Sequence, residues 1–137
     1  MAGEKGMVRL ATIETDGWQL ESAEARHAAS PDTFFVPPRA QREGLRPGDG
    51  AKLLFQIASA ETPGVERGVE RMWVIVRRRA DGLYVGVLDS TPTSTNPGAS
   101  LLARGCEVLF APEHIADVSV PARAYVTAQW GEGFFDG

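Results

Sequence analysis

From Met72 to Asp89 the chain reads MWVIVRRRADGLYVGVLD, two apolar runs closed around Ala80-Asp81-Gly82. An Asp-Gly pair between β-branched and aromatic residues is a strong hairpin signal, because both tolerate the backbone conformations that a tight turn needs. Two antiparallel strands are expected, over residues 70–79 and 83–89. Along the first, Met72, Val74 and Val76 face one way and Trp73 and Ile75 the other. A strand wetted on one side alternates apolar with polar residues; this one is apolar on both. It must therefore be covered on both sides. That requirement selects a barrel wall with a helix or a chain end packed outside it. Trp73 and Tyr84 are then expected to be structural. One of Met72 and Trp73 fills the interior, and the other lies under the outer cover.

Other segments supply the remaining walls. Residues 51–57 carry Leu53, Phe55 and Ile57 at period two and read as a strand. Residues 7–13 read as a first strand, residues 107–111 as another, and residues 118–126 as a last extended segment, with one helical turn at Pro112-Glu113-His114-Ile115. Ser22 can cap a short helix that runs to Ala29 and stops before Pro31. Pro37-Pro38 lead into a second helix from Arg39 to Glu43, for which Gly44 suits a left-handed cap. Residues 59–68 and 90–100 read as loops. Residues 127–137 mix glycines with three aromatics and match no element; they read as a flexible or docking tail. The expected fold is mainly β (α+β): a small antiparallel, partly closed barrel with one or two short helices, a single domain over residues 1–137. With 137 residues, the chain can bury roughly two-thirds of its unfolded surface and needs no disulfide or metal staple.

Charge narrows the function classes. A net charge of −4 argues against a protein whose main business is binding nucleic-acid phosphates. The one concentrated cation run, Arg77-Arg78-Arg79, sits at a strand end, where it reads as a solvated guard against edge aggregation. Gly48-Asp49-Gly50-Ala51-Lys52 opens a strand and carries a carboxylate, so it reads as a turn and not as a phosphate loop. Two histidines, His27 and His114, and the single Cys106 show no zinc-ligand spacing, and no metal or cofactor is expected. Cys106 has no base beside it in sequence and reads as a buried, inert thiol. His114 reads as a hydrogen-bonding structural residue. The opening residues hold no apolar stretch long enough for a signal peptide or membrane span. With no disulfide to form, the expectation is a cytoplasmic protein without membrane partners.

Successive blocks also resemble a known bacterial family. They are Asp32-Thr33-Phe34-Phe35-Val36-Pro37-Pro38, Leu45-Arg46-Pro47-Gly48-Asp49 with Lys52-Leu53-Leu54-Phe55, and Arg71-Met72-Trp73-Val74. Tyr84-Val85-Gly86-Val87-Leu88-Asp89, Pro92, Gly105, Phe110 and Pro112-Glu113-His114-Ile115 continue the series. In order and spacing they resemble the domain of unknown function twenty-three fourteen, over about residues 18–118. The resemblance implies a small cytoplasmic β-domain with an SH3-like or similar barrel, antiparallel and partly closed; some relatives are linked by context to immunity proteins of bacterial toxin systems, and no catalytic residue is established for the family. The chain departs from the family pattern at Cys106, at the small pair Gly50-Ala51 and in the long loop from Ser90.

The leading functional expectation is a non-enzymatic binding module for a protein partner, of immunity type, with no assembled catalytic set. The alternative is a small enzyme or small-ligand domain. Its pocket would be lined by Arg71, Trp73, Tyr84, Asp89, Thr91 and His114. Oligomeric state is not legible in the residues.

Overall fold

A computed structural model describes residues 9–57, 68–92 and 102–136. In chain order the described elements are α1 (Ile13–Asp16), β1 (Trp18–Leu20), α2 (Ala23–Ala29), α3 (Arg39–Glu43), β2 (Gly50–Ile57), β3 (Gly68–Ala80) and β4 (Leu83–Leu88). Then follow β5 (Glu107–Phe110), a 3₁₀ turn (Pro112–His114), β6 (Ile115–Ser119), α4 (Arg123–Trp130) and a final 3₁₀ segment (Glu132–Asp136). The strands form one antiparallel sheet in the order β1-β2-β3-β4-β5, with β6 returning onto β2. β1 and β6 share one edge of β2: β1 pairs with residues 55–57 and β6 with residues 50–53. The meander curls so that its last strand returns through the 3₁₀ turn to its first long one. The result is a mainly β, SH3-like half-barrel with a few short helices.

The hairpin forms as its sequence demands. Asp81 and Gly82 both have positive φ, 53° and 80°, the signature of a two-residue turn whose twist matches the flanking strands. Ala80 belongs to the strand. Near the far end of the hairpin the two strands approach closely at Gly86. A Cβ there would stand 2.4 Å from Val74 Cγ1 and 2.8 Å from the Ile75 carbonyl oxygen. Only glycine fits that approach. The pairing then slips between Val76 and Arg78, a bulge that leaves Arg77 as the extra residue.

Alternation decides the two faces. Leu53, Phe55, Ile57, Met72, Val74 and Val76 point inward and pack with Tyr84, Leu88, Val108, Phe110 and Ile115 into the main core. The outer face is covered in two places. At one end Phe34 lies against Arg26 and Arg71, with ring-to-guanidinium distances of 5.7 and 5.5 Å. At the other, Ile75 and Val87 are buried under Val126 of α4 and Phe134 of the final 3₁₀ segment, with Trp130 and Phe135 packed alongside. The expectation that β3 is covered on both sides is met at Ile75, whose outer cover is α4 and the final 3₁₀ segment, but not at Trp73, which is only half-buried.

Several boundaries differ from expectation. Residues 1–8 lie outside the described ones, and residues 9–13 form no strand. The Thr12 hydroxyl accepts from the Thr15 N–H and starts α1 there; the first strand is β1. The last extended segment stops at Ser119, before Pro121, and residues 123–130 are helical because Val126 and Trp130, one turn apart, face the sheet. Gly44 is not left-handed (φ −108°). The last carbonyls of α3 are capped from outside instead: Tyr84 Oη donates to Arg42 O at 2.8 Å and Arg79 donates to Glu43 O, so no glycine cap is required. Most of both expected loops, residues 58–67 and 93–101, lies outside the described residues.

Candidate functional site

Tyr84 and Trp73, the two aromatics of the hairpin, meet different fates. Tyr84 is 1% exposed. Its ring packs against Phe110, and its hydroxyl accepts from the Leu45 N–H (3.1 Å) and Arg79 Nη2 (2.8 Å) while donating to Arg42 O. It is a fully satisfied core group. Trp73 points to the outer face and is only half-buried, so it does not lie under the outer cover expected for it: Met72 fills the interior, while the indole is reached by Lys52 beyond the edge of the Val126–Phe134 cover. The other residues proposed from the sequence are dispersed. Asp89 accepts from Trp130 Nε1 (3.0 Å), Arg104 Nη2 (3.3 Å) and Tyr125 Oη (2.7 Å), and so latches α4 onto the end of β4. That bond raises the Tyr125 phenol above its ordinary pKa, because losing the proton would leave two anions in contact. His114 is buried, and its Nδ1 accepts from the Ala111 N–H at 2.9 Å. Burial lowers its pKa, since desolvation penalises the charged ring. Thr91 is exposed, and Arg71 is exposed on the outer face against Phe34. Asp89 and Trp73 are joined by the Asp89 N–H to Trp73 O bond of 2.9 Å. Tyr84 stands on the opposite face of the sheet.

Charged groups expected to be surface features also have assigned partners. Arg77 lies 4.8 Å from the Phe134 ring, Arg78 is 4.0 Å from the Glu107 carboxylate, and Arg79 lies over Tyr84. The bulge makes this possible: it turns Arg77 toward the tail instead of leaving three cations in strict alternation. Cys106 is half-buried against the core, and burial raises its thiol pKa, so the nucleophilic thiolate is disfavoured. Among the described residues no group of three or more His, Cys, Asp and Glu side chains converges to hold a metal.

Among the described residues, a window is left between the two outer covers. Lys52 is the cross-strand partner of Trp73 on one side and of Asp117 on the other. The three side chains form a row across β3, β2 and β6, about 10 Å long at the usual interstrand spacing. The Lys52 ammonium lies 5.3 Å from the Trp73 ring centre. Beyond Asp117 the row opens into a groove of about 440 Å³ lined by Phe35, Val36, Pro37, Gln41 and β6 residues 116–118. Phe35, at its lip, is 70% exposed. A second depression, about 350 Å³, lies among Glu24, Arg39, Glu43, Pro112 and Glu113. Its charges are largely satisfied internally, Arg39 by Glu43 (2.7 Å) and Glu24 by Arg42 (2.8 Å).

The edge of β6 beside the groove is protected against strand addition. Ala116 is skipped in the pairing with β2, the Asp117 carboxylate accepts from the Val118 N–H (2.9 Å), and Pro121 follows closely. A bulge, a capping charge and a proline are the usual ways of blunting an edge. An occupant of the groove is therefore met by side chains. Phe35 and Lys52 were not singled out from the sequence. Phe35 did leave a signal: in an extended Phe34-Phe35 pair, one ring must point away from the surface its neighbour covers. Lys52 left none, since its place beside Trp73 depends on strand register.

Comparison with protein-family models, curated proteins and solved structures finds no match. No helix of the described residues is long and apolar enough to cross a membrane.

Proposed function

We propose that this protein is a non-catalytic binding module that receives a segment of another protein across the Trp73–Lys52–Asp117 row and the Phe35 groove. The exposure of Phe35 carries this reading. The large rings of the sheet are buried or stacked, whereas Phe35, in the segment between α2 and α3, stands 70% exposed over an open groove. Aromatic residues, Phe among them, are enriched at the cores of protein interfaces relative to the rest of a protein surface. Neutralising a partner protein, as the family resemblance in the sequence suggests, is one form such a module takes. A small-molecule enzyme is less well supported: Asp89 serves the tail, His114 serves a backbone turn, and Tyr84 is enclosed in the core.

A random-peptide display library panned against the whole protein tests the reading. Enriched peptides should lose at least tenfold in affinity on Phe35→Ser, while the substitution shifts folding stability by no more than about 0.5 kcal/mol, the range of ordinary surface changes. No enrichment, or peptides that bind Phe35→Ser as well as wild type, would overturn it.

A further inference from the structure

Lys52 and Arg71 stand out among the cations of the outer face. Arg78 reaches Glu107, Arg104 reaches Asp89, and Arg77 and Arg123 stack on rings of the C-terminal segment. Like Arg77 and Arg123, Lys52 and Arg71 have ring contacts and no ion pair with a described residue, but their rings belong to Trp73 and to Phe34, away from the C-terminal segment. In register, Trp73 opposes Lys52 and Arg71 opposes Leu54, so Arg71 and Lys52 are diagonal neighbours on one face, both beside Trp73. Diagonal side chains across a strand pair stand roughly 7–8 Å apart at the backbone, near enough for two long cations to meet one group. Asp117 stands directly across from Lys52, yet no described carboxylate forms an ion pair with either cation. Asp117 accepts from the Val118 N–H, Asp89 is held by Arg104, Tyr125 and Trp130, and Glu70 pairs with Phe55, which faces the interior.

We propose that the Arg71–Lys52–Trp73 triangle is the subsite for an acidic side chain of the partner, and that the module therefore selects an acidic, aromatic- or aliphatic-containing protein segment. This rests on the protein-binding reading above. The anion would sit beside the indole between the two cations, and an apolar neighbour in the same segment would reach Phe35. Two cations give a short acidic peptide what it needs. A nucleic-acid backbone draws its affinity from many phosphate contacts at once; two cations on a chain of net charge −4 do not supply them.

The peptides recovered by panning, together with one RNA oligonucleotide, decide between the outcomes. The expected result is enrichment of Asp and Glu over the input library. The best recovered peptide, synthesised, should bind about tenfold more weakly to Lys52→Met and to Arg71→Met, the size of one charge-assisted hydrogen bond. Its affinity for wild type should also fall with rising salt, a measurement that does not depend on any variant folding. Recovered peptides that need Phe35 but are neutral or basic, or that ignore both cation substitutions, would sink the acidic subsite and leave the protein-binding reading standing. RNA bound more tightly than any recovered peptide would likewise overturn the subsite. Failure to recover any peptide would sink both.

Discussion

The two faces of one sheet solve the same burial problem in different ways. The inner face is filled by side chains of the sheet itself, which interlock into a single core around Phe55, Tyr84 and Phe110. The outer face is roofed by parts brought from elsewhere, the Phe34 segment at one end and α4 with the final 3₁₀ segment at the other. A core built from paired strands leaves no gap, because cross-strand neighbours are fixed by register. A roof assembled from two separate pieces leaves one, and Trp73, Lys52 and Asp117 lie in it. The candidate site is where the covers end.

Substitutions on each face should break along that line. The largest loss is expected from Tyr84→Ala, which empties a fully buried ring site and strands the Leu45 N–H and Arg42 carbonyl. Chemical denaturation should show a loss of roughly 3–5 kcal/mol; a loss under about 1 kcal/mol would mean the inner face is not a tightly packed core. Phe134→Ala should cost less, roughly 2–3 kcal/mol, because it removes one anchor of a roof and leaves the main core intact. Amide exchange should accelerate in α4 while β2 to β4 stay protected. Uniform acceleration through the sheet would show that the roof and core are one cooperative unit.

Trp73→Ala comes next, at roughly 1–2 kcal/mol, scaled down from full ring burial because the indole is half-exposed. A loss matching that of Tyr84→Ala would place Trp73 in the core and remove it from the window. The smallest effect is pH-dependent. His114 is buried and accepts a hydrogen bond, so its folded pKa lies below the ordinary value of 6.5. Between those two values the unfolded chain holds more protons, and stability falls as the pH drops below about 6.5. The slope from one such group is at most about 1.4 kcal/mol per pH unit. His114→Asn should flatten the fall in melting temperature between pH 7 and 5; an unchanged slope would assign the loss to other groups.

Much of the fold was legible because it is written in local chemistry. The Asp81-Gly82 turn, the period-two apolar residues of β2 and β3, and the Ser22 cap each act within a few residues, where sequence order and spatial order coincide. The missed helix at residues 123–130 shows the limit. Only one pair of its large apolar residues, Val126 and Trp130, shares a face, and docking on Ile75 and Val87 is what gives that face a partner. Gly44 shows the same limit from the other side: its expected left-handed cap was made unnecessary by Tyr84 and Arg79, roughly forty residues away in the chain.

The sequence alone therefore determined that this chain forms a curled antiparallel sheet and that β3 carries apolar residues on both faces, because alternation and turn residues act through the backbone beside them. It did not determine which of two hairpin aromatics would be sealed and which left half-open. Trp73 and Tyr84 sit in similar apolar runs. Tertiary structure separated them by face, since Tyr84 points inward against Phe110 and Trp73 outward beside Lys52. Among the described residues, the window lies between two covers from distant parts of the chain, one anchored by Phe34 and the other by Phe134. No local pattern encodes that window, because it is a property of how the pieces meet.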